Sequence, residues 1–437
     1  MCLSTLAGVL TAAALFVSAA APSAASAAPA GPAAASVEAR HPAFREDHVR
    51  NGAQFQKVLD DIVASGAPGV IAEVRDADGV WTGRSGKGRL GRDEPPRADG
   101  MFRVGSVTKT FVATTVLQLV AEGRLNLDDP VERHLPGLVP NGEKITVRHL
   151  LSHRSGLFNY TDSLWPGGLQ GMYDTRFKRY TPRELVAEAN RHEPAFAPGT
   201  AGGYSNTNYV VLGMLIEKST GNTARREIME RIVKPLRLRR TSFPVTSTGI
   251  PGPHAHAYMR LHGPDSPYVD VTESGMSWAW TAGAMISTTH DLNTFFKALI
   301  GEYLLPGRLM REMKEARTLG VGEPYGLGIA RLENPLFGTA YGHTGGTPGF
   351  TTHAFTLADG SRQVTVSINS MADTEKEHIA GGKALKALLS MDMQVVRAGF
   401  RDERRLRGPA GVAAFAKGLP RRAGQRPAAG LASPAAA

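Results

Sequence analysis

Strand-type alternation occurs near both ends of the patterned sequence, and the long stretch between them carries helical periodicity. Gly69–Val74 and Gly79–Gly83 read as strands joined through Asp76-Ala77-Asp78-Gly79, a hairpin signal. Tyr325–Ala330, Phe350–Thr356 and Gln363–Ile368 read as strands again, followed by a helix over Glu375–Leu389. A sheet with an exposed apolar face must pair and be covered, so the early and late strands are expected to form one sheet. The predicted fold class is α/β of the α+β kind: an antiparallel sheet built from N- and C-terminal segments, flanking helices, and an inserted all-helical lobe at about 124–320.

The 437 residues are 42% hydrophobic, 21% charged and 7% aromatic, a balance that excludes a disordered, collagenous or multi-span membrane chain. The formal charge of +10 is unevenly placed: residues 401–437 hold eight Lys/Arg against Asp402 and Glu403, and residues 1–37 hold no charge. The body is therefore only mildly basic and lacks the footprint of a nucleic-acid binder. The basic tail suits a polyanionic surface. From Leu3 to Ala21 the chain is apolar and small, and Ala25-Ser26-Ala27 offers a signal-peptidase site. The expected organisation is a signal peptide over 1–27, a linker over 28–44, a domain over 45–400 and a low-complexity tail over 401–437. The protein is expected to be secreted, monomeric and without a transmembrane span. Its single cysteine, Cys2, falls in the segment expected to be removed, which leaves no disulfide.

Three short patterns carry chemistry. Ser106-Val107-Thr108-Lys109 lies where the apolar run Met101–Val104 turns through Gly105 into a long helix, Ser106 to Glu122. At i and i+3 the two side chains share a face, so an amine with a lowered pKa can take the serine proton. Tyr204-Ser205-Asn206 sits between the loop Pro198–Gly203 and a helix; Tyr204 is placed to relay a proton and Asn206 to bond a substrate amide. His343-Thr344-Gly345-Gly346 closes an apolar run, where glycines admit a substrate along a strand edge. The Gly346 N–H could there join that of Ser106 as an oxyanion hole, with His343 as a polarising or cationic group. Singly, each also fits a helix start, a helix cap or a turn. Together, in this order and at element boundaries, they point to acyl transfer through serine.

With these residues the chain resembles the penicillin-recognising serine hydrolases, most closely the secreted serine D-alanyl-D-alanine carboxypeptidases and the esterases related to class C β-lactamases. Leu150-Leu151-Ser152-His153, Ser155-Gly156-Leu157, Ser277-Trp278-Ala279 and Tyr325-Gly326-Leu327-Gly328 extend the resemblance over roughly residues 45–392. It implies that Ser106 forms an acyl-enzyme, that Lys109 and Tyr204 manage its proton with His343 nearby, and that Asn206, Thr344, Gly345 and Gly346 bind substrate. Trp165 and Trp278 would wall the pocket. The resemblance implies a penicillin-sensitive carboxypeptidase acting on peptidoglycan peptides, with β-lactams as inhibitors. An esterase or β-lactamase acting on small esters or amides, and a non-catalytic wall-binding protein, are the alternatives.

Two positions depart from the carboxypeptidase pattern. Gly346 and Ala330 stand where that group has a threonine and an arginine for the substrate carboxylate, with Thr347 and Arg331 one residue away. A single step along a strand turns a side chain to the other face, so either Thr344 and His343 serve the carboxylate in their place or the carboxylate subsite is relaxed, which would favour esterase or other peptidase activity. No cofactor or metal is expected. His149 with His153, and His254 with His256 and His262, lack a carboxylate or thiol set at zinc spacing.

Overall fold

The computed structural model describes residues 52–319, 324–371 and 375–391. The expected signal peptide, linker and basic tail lie outside the described residues. In chain order the strands are β1 (Gly69–Asp76), β2 (Gly79–Gly86), β3 (Phe102–Arg103), β4 (Tyr258–Arg260), β5 (Tyr268–Asp270), β6 (Ile286–Ser287), β7 (Ala330–Asn334), β8 (Gly338–Thr347), β9 (Phe350–Leu357) and β10 (Gln363–Ile368). Six of them form one antiparallel sheet in the order β2-β1-β10-β9-β8-β7. The first hairpin thus pairs with the last strand, Val70 opposite Ile368 through Arg75 opposite Gln363. The early and late strands share one sheet, as the sequence pattern requires.

Helices cover both faces of that sheet. On one, α1 (Ala53–Ala64) buries Phe55, Leu59 and Ile62, spaced as one helical face, against Val70, Ala72, Val74, Val364, Val366 and Ile368. The C-terminal helix, Glu375–Ser390, adds Leu385 and Leu388 to this layer. On the opposite face, α2 (Thr108–Ala121) is buried nearly all round, as a helix between layers must be. Its threonines satisfy themselves: Thr114 Oγ1 donates to Thr110 O at 2.7 Å and Thr115 Oγ1 to Phe111 O at 3.0 Å. Phe111 stacks on Phe295 with ring centroids 3.7 Å apart.

The remaining helices are α3 (Val131–His134), α4 (Val147–Leu151), α5 (Gly168–Asp174), α6 (Pro182–Ala189), α7 (Asn206–Thr220), α8 (Ala224–Ile228), α9 (Thr289–Ile300) and α10 (Gly307–Lys314), which makes the C-terminal helix α11. The stretch 124–320 differs from the expected all-helical lobe in two ways. The ribbon β4–β5 and the strand β6 interrupt it, and α9 packs against β9 and β10 as part of the sheet layers. Phe295, Phe296 and Leu299 give α9 an apolar face that the sheet must cover.

The expected strand Tyr325–Ala330 is a loop; regular strand pairing starts at Ala330, where β7 begins. Tyr325, Leu327 and Ile329 alternate with glycine as in a strand, but the whole run Tyr325–Ile329 is buried. Gly328, at φ +81°, instead turns the chain onto α2, where a Cβ would lie 2.1 Å from Ala113 Cβ. Among the described residues no helix is long and apolar enough to cross a membrane.

Candidate active site

β3 pairs with β6 for two residues and delivers the chain to a 3-10 turn, Gly105–Val107, that runs straight into α2. Ser106 occupies this turn and Lys109 the first turn of α2, so Lys109 Nζ reaches Ser106 Oγ at 3.0 Å. Nζ also lies 2.7 Å from Asn206 Oδ1 and 2.7 Å from Ala282 O. No carboxylate is among these partners. Burial therefore holds the Lys109 amine well below the usual lysine pKa. A neutral amine has two N–H donors and one lone pair. Asn206 Oδ1 and Ala282 O can only accept, so the lone pair is left for the Ser106 hydroxyl. The amide orientation of Asn206 follows from its other contacts, since its Nδ2 donates to Asn159 Oδ1 and Thr161 Oγ1, each at 3.2 Å.

Tyr204 precedes α7 and Asn206 opens it, so the helix start sets both side chains. The Tyr204 phenol lies beside Ser106, and desolvation of its hydroxyl raises its pKa above the ordinary tyrosine value. Lys109 Nζ stands 4.9 Å from the Tyr204 ring centroid. The lysine and the phenol therefore meet at one serine hydroxyl, an arrangement able to take its proton and pass one to a leaving group.

β8 supplies the third wall. Its pairing with β7 ends at Ala330 opposite Gly342, so β7 leaves the edge from His343 to Thr347 uncovered. Gly345 packs directly on the nucleophile turn: a Cβ there would lie 2.0 Å from Val104 O and 3.1 Å from Ser106 N. Gly346 lies against Gly105 on one side and open space on the other, which brings its backbone beside Ser106. Thr344 is exposed, on the strand face opposite to His343.

His343 is buried, with Nδ1 donating to Thr344 O and Nε2 accepting from Tyr325 OH at 2.9 Å. Burial pushes its pKa down to about 3. The imidazole is therefore neutral. Of the two roles open to it from sequence, the cationic one does not hold.

A cavity of about 470 Å³ opens from Ser106, lined by Asn206, Gly346, Thr347 and Pro348 on the reactive side and by Trp165, Leu169, Met172 and Trp278 opposite. Trp165 and Trp278 meet edge to face with centroids 4.9 Å apart. Thr347 lines the cavity despite its place one residue beyond the family position, whereas Arg331 is paired with Glu333. Sequence reasoning missed three residues here. Asp162 lines the cavity, from the end of a 3-10 turn, Tyr160–Asp162, with no motif to mark it. Tyr325 and His153 stand in quoted motifs, yet their rings reach the site only through the fold.

The family model described as Beta-lactamase matches residues 55–389. This chain belongs to the β-lactamase family. Penicillin-binding protein 4* of Bacillus subtilis is 26% identical over 322 residues, covering 71% of this chain and 69% of that protein. The crystal structure of a D-stereospecific amidohydrolase from Streptomyces sp. is similar with a TM-score of 0.69 and 39% identity, covering 76% of this chain and 97% of that one. A D-amino acid amidase from Ochrobactrum anthropi SV3 follows with a TM-score of 0.68 and 28% identity over 78% and 98% of the two chains. As a β-lactamase-family member the protein is a serine hydrolase of that fold, with relatives named as penicillin-binding proteins.

Proposed function

We propose that the protein is a D-stereospecific amidohydrolase that acylates Ser106 with small amino-acid amides or esters bearing a free amino group. The observation that carries this reading is the charge of the cavity: among its lining residues Asp162 is the one carboxylate, and no arginine or lysine accompanies it. Asp162 is held by Asn159 Nδ2 at 2.7 Å, and Asn159 Oδ1 in turn accepts from Asn206 N at 2.9 Å. A carboxylate there suits an α-ammonium group, and the tryptophan wall suits an apolar side chain. The two amidase structures support the same substrate class.

In this reading Ser106 Oγ attacks the acyl carbon as its proton passes to Lys109. The backbone N–H groups of Ser106 and Gly346 take up the oxyanion. Tyr204 protonates the departing amine or alcohol, and water then releases the acyl group from Ser106.

The second reading is D-alanyl-D-alanine carboxypeptidase activity on cell-wall peptides by an exported enzyme, favoured by the relatives named as penicillin-binding proteins. It demands a partner for a terminal carboxylate, which the cavity lining does not offer as a cation.

The deciding experiment compares ammonia release from D- and L-phenylalanine amide with D-Ala release from diacyl-Lys-D-Ala-D-Ala. Turnover of the D-amide alone is expected. D-Ala release without amide turnover would overturn the amidase reading in favour of the carboxypeptidase. Ser106→Ala is expected to remove all acylation, and residual turnover would exclude both. Asp162→Asn should raise KM for D-phenylalanine amide about tenfold and leave an N-acetylated ester unaffected.

A further inference from the structure

We propose that His153 is the positioning residue for Tyr204, clamping the segment Gly203–Ser205 so that the phenol stays on Ser106. The inference rests on the acyl-serine reading above and adds a residue to it. His153 O accepts from Gly203 N at 2.9 Å, and His153 Nδ1 accepts from Ser205 N at 3.2 Å. Between these two bonds the imidazole lies on the Tyr204 ring, centroids 4.2 Å apart and tilted by 32°. One residue thus holds the backbone before Tyr204, the backbone after it and the ring itself.

The state of the imidazole is determined by its neighbours. Asn208 Oδ1 accepts from Ser155 Oγ at 2.5 Å, so Asn208 Nδ2 is the donor to His153 Nδ1 at 3.1 Å. With two N–H groups pointing at it, Nδ1 carries the lone pair and the ring proton sits on Nε2. Among the described residues Nε2 has no hydrogen-bond partner and the ring is fully buried. Its surroundings are aromatic, with Tyr325 and Tyr209 centroids at 4.9 and 5.2 Å. Burial keeps the ring neutral.

The backbone adds a second constraint. His153 has φ +55°, a left-handed conformation uncommon for a residue other than glycine. Glycine there would adopt this turn freely but would forfeit the acceptor and the ring face. The strain is retained beside the site, and it orients the side chain that clamps Tyr204.

The test is a double-mutant cycle read by pre-steady-state acylation with D-phenylalanine p-nitroanilide. His153→Ala should lower the acylation rate about tenfold or more with KM little changed, because the phenol is misplaced while the cavity is intact. In a Tyr204→Phe background the same change should cost less than about twofold, since the group being positioned is already gone. His153→Asn, which tolerates the left-handed backbone and can accept from Ser205 N, should retain more activity than His153→Ala and carries the same comparison if alanine prevents folding. Equal losses in both backgrounds, or no loss in either, would overturn the proposal, as a purely structural role lowers both alike. Wild-type acylation at Ser106, absent in Ser106→Ala, separates failure of this inference from failure of the acyl-serine reading.

Discussion

Lys109 Nζ and Ser106 Oγ lie 3.0 Å apart with no carboxylate at the amine, and this pairing sets the pH behaviour of the enzyme. Burial lowers the lysine pKa from its ordinary 10.5, so the unfolded chain binds a proton that the folded chain does not. Stability from this group therefore rises with pH between the lowered value and 10.5, at up to about 1.4 kcal/mol per pH unit. The denaturant midpoint of the wild type, measured against Lys109→Met, should climb across that window; a constant difference would mean that the amine is charged in the fold. Activity follows the same sign. The neutral amine is the base, so kcat/KM should fall on the acid side, and Lys109→Arg should be inactive at every pH because guanidinium does not deprotonate. His343, at about 3, contributes no limb near neutrality.

Gly345 is the point where β8 touches the nucleophile turn. Gly345→Ala would place a methyl 2.0 Å from Val104 O, so strand and turn must separate. The expected cost is about 1–3 kcal/mol of stability, read from the denaturant midpoint. Acylation should fall further than that loss explains, because Ser106 N moves away from the Gly346 backbone. Normal acylation in a destabilised protein would remove the strand–turn contact from the oxyanion geometry.

Much of the site is legible in sequence because its key contacts are local. Ser106 and Lys109 share one turn, and Tyr204 and Asn206 flank one helix start, so spacing alone predicts their company. The outer hairpin is equally local, with Asp76 opposite Gly79 closing it. What sequence does not reveal is what surrounds them. The carbonyl that takes a Lys109 donor, Ala282 O, lies 173 residues away along the chain, and Asp162 enters from a short 3-10 turn without pattern. The loop at Tyr325 misleads for a different reason. Its large apolar residues alternate with glycines as in a strand, but the whole run Tyr325–Ile329 is buried, with Gly326 and Gly328 pressed against α10 and α2. The alternation there comes from close backbone approach, without a ladder.

Trp165 meets Trp278 edge to face at the apolar end of the cavity, where both rings line the wall. The pair therefore acts on binding more than on chemistry. Trp165→Ala removes one side of the wall and exposes the other ring to water, which lowers the apolar area available to a bulky side chain. KM for D-phenylalanine amide should rise about tenfold, equivalent to about 1.4 kcal/mol, with kcat within about twofold. D-alanine amide, too small to fill that end, should show almost no change. Steady-state kinetics on the two substrates decide the matter: a parallel rise for both would mean that Trp165 supports the turn carrying Asp162, and a fall in kcat alone would place the tryptophan in the acylation step.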